Sequence, residues 1–152
     1  MSEEADLVKL YSGRILALAA SIPLTGRLEN PDGSARRRAP HCGSAVTVDL
    51  RLNAGQITAF AQDVKACALG QSAASVLGAH VIGCNREEIA RLRDDLRAML
   101  KDGADAPAAP FEELGALLPA RAFENRHSSI LLAIDATLGA IEDAERRRRA
   151  RS

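Results

Sequence analysis

The segment from Ala45 to Asn53 constrains the fold most. Val46, Val48, Leu50 and Leu52 alternate with Thr47, Asp49 and Arg51, the period of a strand that buries one face. Asn53-Ala54-Gly55 supplies a turn, after which Ile57 to Phe60 and Gln62 to Lys65 return as a second and a third extended piece. The pattern predicts a small antiparallel sheet. Cys42 precedes its first strand and Cys67 follows its last extended piece, so two thiols far apart in the chain are expected at the same end of that sheet.

The rest of the chain bounds what such a sheet serves. Its 152 residues suit one domain spanning 1–152, large enough for a core without staples. Lys plus Arg and Asp plus Glu each total 20, so no global field gathers nucleic acid or an anionic membrane. The apolar runs fall short of a membrane span, and Glu3, Glu4 and Asp6 are unlike the basic start of a signal peptide. A cytoplasmic protein without nucleic-acid or membrane partners is expected. Three cysteines, an odd number in a reducing compartment, argue for metal binding, sulfur chemistry or burial over a disulfide framework. No Gly-rich phosphate loop, close CxxC pair or nucleophile elbow is present.

In chain order, Glu3 to Ile22 has the spacing of an amphipathic helix, with Ser2 as cap, Leu7, Leu10, Tyr11, Ile15, Leu18 and Ala19 on one face, and Pro23 beyond its end. Asn30-Pro31-Asp32-Gly33-Ser34 are turn-formers. Arg36-Arg37-Arg38 then reads as a basic surface loop, solvated or docked to an acidic partner. Ala68 to Val81 is built from small residues and suits a helix packed very close to its neighbours. Its N-terminus falls beside Cys67, where backbone N–H groups and the helix dipole favour a thiolate. Asn85 and Glu88 form a capping-box-like start for a helix over Arg86 to Lys101, which Asp102-Gly103 ends. A Pro/Ala-rich connector over 104–110, a short helix Phe111 to Leu117 and a loop Pro119 to Asn125 follow. The last helix is expected over Arg126 to Arg146, burying Ile130, Leu131, Ile134, Leu138 and Ile141, with a frayed basic tail over 146–152.

This order resembles the U-type iron-sulfur cluster assembly scaffolds, the family of IscU, SufU and the NifU N-terminal domain, over nearly the whole chain. The matching pieces are Asn30-Pro31, Ala39-Pro40-His41-Cys42-Gly43, the spacing from Gly55 to Cys67, the run Cys67 to Ser75, and Arg126 to Ala136. The resemblance implies an α+β fold in which a three-stranded antiparallel sheet packs against N-terminal and C-terminal helices. Three cysteines and an aspartate gather at one end of that sheet in the family and hold a nascent cluster or zinc. Cys42 and Cys67 match the first two of those cysteines. The family's aspartate falls on Ser44 and its third cysteine on Ser129, Arg126 matches a basic position, and Cys84 matches no ligand.

Serine hydroxyls are poor ligands for iron or zinc, so two thiols leave a tetrahedral site incomplete. His127, His41 or a second copy of the chain pooling its own Cys42 and Cys67 would complete it; His80 and Cys84 read as structural. The resemblance implies a scaffold or carrier rather than an enzyme, with iron, an iron-sulfur cluster or alternatively zinc on Cys42 and Cys67; imidazole chemistry adds His127 as the expected further metal ligand. A cysteine desulfurase and apo-protein acceptors are the implied partners. Two alternatives stand beside it: a sulfur relay in which Cys67 accepts a persulfide, and an adaptor that binds no cluster.

Overall fold

The computed structural model describes residues 11–40 and 43–151. Helix α1 (Gly13–Ala20) is followed by strands β1 (Gly33–Arg38), β2 (Ala45–Asn53) and β3 (Gln56–Lys65), then helices α2 (Ala68–His80) and α3 (Arg86–Lys101). Two 3-10 segments, Glu112–Ala122 and Glu124–Arg126, lead into the long helix α4 (His127–Arg151). The strands lie side by side as β1-β2-β3, all antiparallel. This is the α+β architecture that the sequence predicts.

The hairpin follows from its turn. Ala54 and Gly55 both take positive φ (53° and 81°), as a two-residue loop requires when its twist must match the strands it joins. One extra residue in β3, at Thr58, bulges the ladder beside Arg51 and Leu52, after which the pairing runs unbroken to Ala45 opposite Lys65. The expected second and third extended pieces are therefore one strand.

The third strand lies where a basic loop was expected. Gly33–Arg38 pairs along β2 from Leu50 to Ala45, although Gly-Ser-Ala-Arg-Arg-Arg carries no β-branched or aromatic residue to announce it. Close packing against α4 places it there. A Cβ at Gly33 would run into the Ala140 carbonyl and the Ala144 backbone nitrogen, so only glycine lets the strand cross the helix at that point. Asp143, in α4, accepts from the Ser34 N–H at 3.0 Å and fixes the crossing. The opposite edge of the sheet is partly covered, because residues 24–26 pair with Gln62 of β3.

Helix α4 packs on β1 and β2 and on both α2 and α3, while α1 lies against α2. The core gathers Val46, Val48, Leu50, Ile57, Phe60, Leu69, Leu77, Leu96, Ile130 and Ile134. Small residues let α2 sink in. A Cβ at Gly78 would lie 2.7 Å from the Gln62 amide nitrogen, and that amide donates to the Pro23 and Ala74 carbonyls at 3.2 and 3.0 Å.

Several expected boundaries shift. The Ser2 cap, Leu7 and Leu10 lie outside the described residues; within them, Ser12 caps α1 by accepting from the Ile15 N–H at 3.4 Å, and the helix stops at Ala20. Asn85 and Glu88 form the full reciprocal capping box of α3. The 3-10 segment Glu112–Ala122 runs through Pro119, because short i to i+3 turns tolerate the missing N–H better than an α-helix does. The basic tail is helical through Arg151 instead of fraying at Arg146. Arg146 and Arg147 both pair with Asp143, and cations at a helix C-terminus are favoured by its dipole.

Candidate functional site

Three side chains from separate elements meet where β2 begins and β3 ends. Cys67, two residues past β3, is the N-cap residue of α2. Its sulfur lies 3.6 Å from the Ser129 hydroxyl in the first turns of α4. Ser129 is in turn 3.2 Å from the hydroxyl of Ser44, just before β2. Both serines are buried and Cys67 is half-buried.

Gly70 permits this approach. A Cβ there would lie 2.8 Å from the Ser129 hydroxyl and 3.0 Å from the Ser129 carbonyl. The helix terminus therefore reaches α4 only because residue 70 has no side chain. Burial alone would raise the Cys67 thiol. The Gly70 backbone N–H, the Ser129 hydroxyl, the Leu69 backbone N–H and the Arg126 guanidinium together outweigh it and hold the thiol below the usual cysteine value. Cys84 shows the opposite balance: burial, and then the charge of Glu88, push its thiol up. Its S–H donates to the His80 carbonyl at 3.3 Å, a structural contact.

His127 is almost fully buried. Its Nε2 is 2.9 Å from the Ala120 carbonyl and its Nδ1 is 3.5 Å from the Lys101 ammonium, an arrangement that fits a neutral ring donating from Nε2 and accepting at Nδ1. Both nitrogens thus have protein partners, and a metal would have to displace one of them. Cys42 and His41 lie outside the described residues. Among those described, no three His, Cys, Asp or Glu side chains gather to hold a metal ion, and no helix is long and apolar enough to cross a membrane.

No protein-family model matches the chain, and no curated protein does. Solved structures do. A crystal structure of a nitrogen-fixing NifU-like protein (N-terminal) from Brucella abortus superposes with a TM-score of 0.89 at 38% sequence identity, covering 93% of this chain and 98% of that one. The chain belongs to the NifU-like N-terminal family. The same fold recurs, at 18% identity and a TM-score of 0.76, in a putative iron-sulfur cluster assembly scaffold protein for the SUF system from Fervidobacterium islandicum AW-1, over 87% of this chain and 96% of that one.

Within this NifU-like fold, the two serines that the resemblance aligns with ligand positions do converge on Cys67. Their chemistry differs from that of the residues they align with. Two neutral hydroxyls hydrogen-bonded to each other offer a metal far less than a carboxylate and a thiolate. Of the described residues, Cys67 alone brings a sulfur to this corner.

Sequence reasoning missed two features. The family resemblance marks Arg126 only as a basic position and gives no sign of its role at the Cys67 sulfur. The alternation of β2 puts Asp49 on the face opposite Val48 and Leu50, yet it is fully buried. It accepts from Arg27 at 2.6 and 3.1 Å, from the Leu28 N–H at 3.0 Å and from the Ser34 hydroxyl at 2.6 Å. An aspartate mid-strand, where β-propensity disfavours it, was the available signal.

Proposed function

We propose that this NifU-like chain is a scaffold or carrier in iron-sulfur cluster assembly, holding iron or a nascent cluster as cargo through Cys67 and Cys42. The observation that carries this reading is the meeting of Ser44, Ser129 and Cys67 at one end of the sheet, in a chain 38% identical to a NifU-like protein. Cys42 precedes Ser44 by two residues, a short reach along the chain. Two thiolates from one chain leave a cluster under-coordinated. A homodimer pooling two Cys42 and Cys67 pairs completes the set without disturbing His127; within one chain, His127 would have to release the Ala120 carbonyl or Lys101. Zinc would suit the same thiolates. A cysteine desulfurase supplies sulfur and apo-proteins accept the cluster in this reading, which places the chain in the cytoplasm.

The low thiol of Cys67 favours a second reading, a sulfur relay. The Cys67 thiolate attacks the outer sulfur of a donor persulfide. A new S–S bond forms on Cys67, the donor's S–S bond breaks, and the donor leaves as a thiolate, with no outside oxidant or reductant. Ser129 and the Leu69 and Gly70 amides would stabilise the attacking anion.

Anaerobic reconstitution with iron and sulfide, read by visible absorption and metal analysis, tests the first reading. Cys42→Ser and Cys67→Ser should each remove most of the bound iron, and Cys84→Ser should leave it in place. Equal retention in all three variants would sink the proposal. A chain that binds no iron but carries labile sulfur on Cys67 would move the function to the relay.

A further inference from the structure

The outward face of the sheet carries a charged surface that the cluster-assembly reading does not use. The register sets Arg38, Ala45 and Lys65 in one row across the three strands and Arg36, Thr47 and Asp63 in the next. Val46, Val48 and Leu50 point the other way, into the core, so the residues of these two rows project outward. Arg27, Arg36, Ala45, Thr47, Asp63 and Lys65 line a shallow depression of about 310 Å3. Ala45 and Thr47, being small, form its floor. Arg27 is tied to Asp49, whereas Arg36 and Lys65 are exposed and make no ion pair among the described residues. They stand diagonally across the floor, on strands separated by about 10 Å.

We infer that this face docks an acidic polypeptide segment of a partner protein, with a carboxylate seated over Ala45 and Thr47 between Arg36 and Lys65. Charge complementarity selects this occupant. The chain as a whole carries no net charge, so a partner here meets a local patch and not a general field. Asp63 lies in the same row as Arg36, across Thr47 from it. A side chain with a discrete carboxylate can avoid it, while an unbroken line of phosphates would be repelled by it. Lys65 is two residues from Cys67, so a partner seated on this face stands next to the thiol. The inference rests on the sheet alone and holds whether or not a cluster is bound.

Fluorescence anisotropy with a short labelled peptide of alternating glutamate and alanine tests it on the full chain. The wild type should bind the peptide, and raised salt should weaken the complex. Arg36→Glu with Lys65→Glu should weaken it by roughly tenfold or more. Arg91→Glu with Arg97→Glu, exposed positions on α3, should bind like the wild type, and circular dichroism should show both double variants folded. Absence of binding, or equal loss in the two variants, would overturn the inference. So would a single-stranded oligonucleotide or an anionic vesicle bound more tightly through the same two residues.

Discussion

Iodoacetamide at neutral pH should alkylate Cys67 at least roughly tenfold faster than Cys84. The reacting species is the thiolate, and the two cysteines sit in opposed environments. Cys67 begins a helix, with the Gly70 and Leu69 amides, the Ser129 hydroxyl and Arg126 offsetting the cost of burial. Cys84 has only burial and the nearby Glu88 carboxylate, both of which favour the neutral thiol. The pH profile supplies the sign. Cys67 reactivity should rise through a midpoint below that of a free cysteine, and Ser129→Ala should move that midpoint upward, because one source of anion stabilisation is gone while burial remains. Peptide mapping by mass spectrometry reads both sites in one digest. Faster labelling of Cys84, or a Cys67 midpoint that Ser129→Ala leaves unmoved, would contradict the account of the site.

Replacing Asp49 with alanine should cost about 3 kcal/mol of stability, near the lower end for breaking a buried ion pair. Its carboxylate is fully enclosed and joins Arg27, Leu28 and Ser34, so the substitution leaves a donor hydroxyl and a backbone N–H without their acceptor. Arg27 is largely exposed and can turn to water, which keeps the cost from being higher. The same carboxylate gives the fold an acid limb. Burial opposes its ionisation, but the bonds from Arg27, Ser34 and Leu28 prevail and hold it below the usual aspartate value. Its contribution is therefore complete above the unfolded value near pH ~3.9, and it is lost as pH falls through the lower folded value. Urea melts between neutral and strongly acid pH should show this loss in the wild type and not in Asp49→Asn. Parallel acid limbs in the two proteins would exclude Asp49 as the source.

The sequence exposes elements whose own residues enforce them. Strand β2 alternates because one face is buried, and α3 announces itself through Asn85 and Glu88. Strand β1 was hidden because nothing in Gly33–Arg38 prefers a strand; its place depends on Gly33 meeting α4 more than a hundred residues later. Spacing predicts Cys42 and Cys67 at one sheet end, but it gives no reason to add Ser44 and Ser129. Those enter through the family resemblance alone, and their contact through Gly70 is a tertiary fact. His127 illustrates the converse: its position beside the serines suggested a ligand, while burial engages both ring nitrogens in the fold. The division is physical, since local periodicity and capping act over a few residues and close approach between helices does not.

The measurement that bears most directly on the central claim is anaerobic cluster reconstitution of Ser44→Asp/Ser129→Cys beside the wild type, with and without Cys67→Ser, read as iron and sulfide bound per chain. If the corner formed by β2, α2 and α4 is the scaffold's ligand site, restoring a carboxylate and a thiolate there should raise the bound cluster above the wild-type level, and removing Cys67 should abolish the gain. A folded double variant that binds no more cluster than the wild type, or whose gain persists without Cys67, would show that this corner is not where the chain holds its cargo.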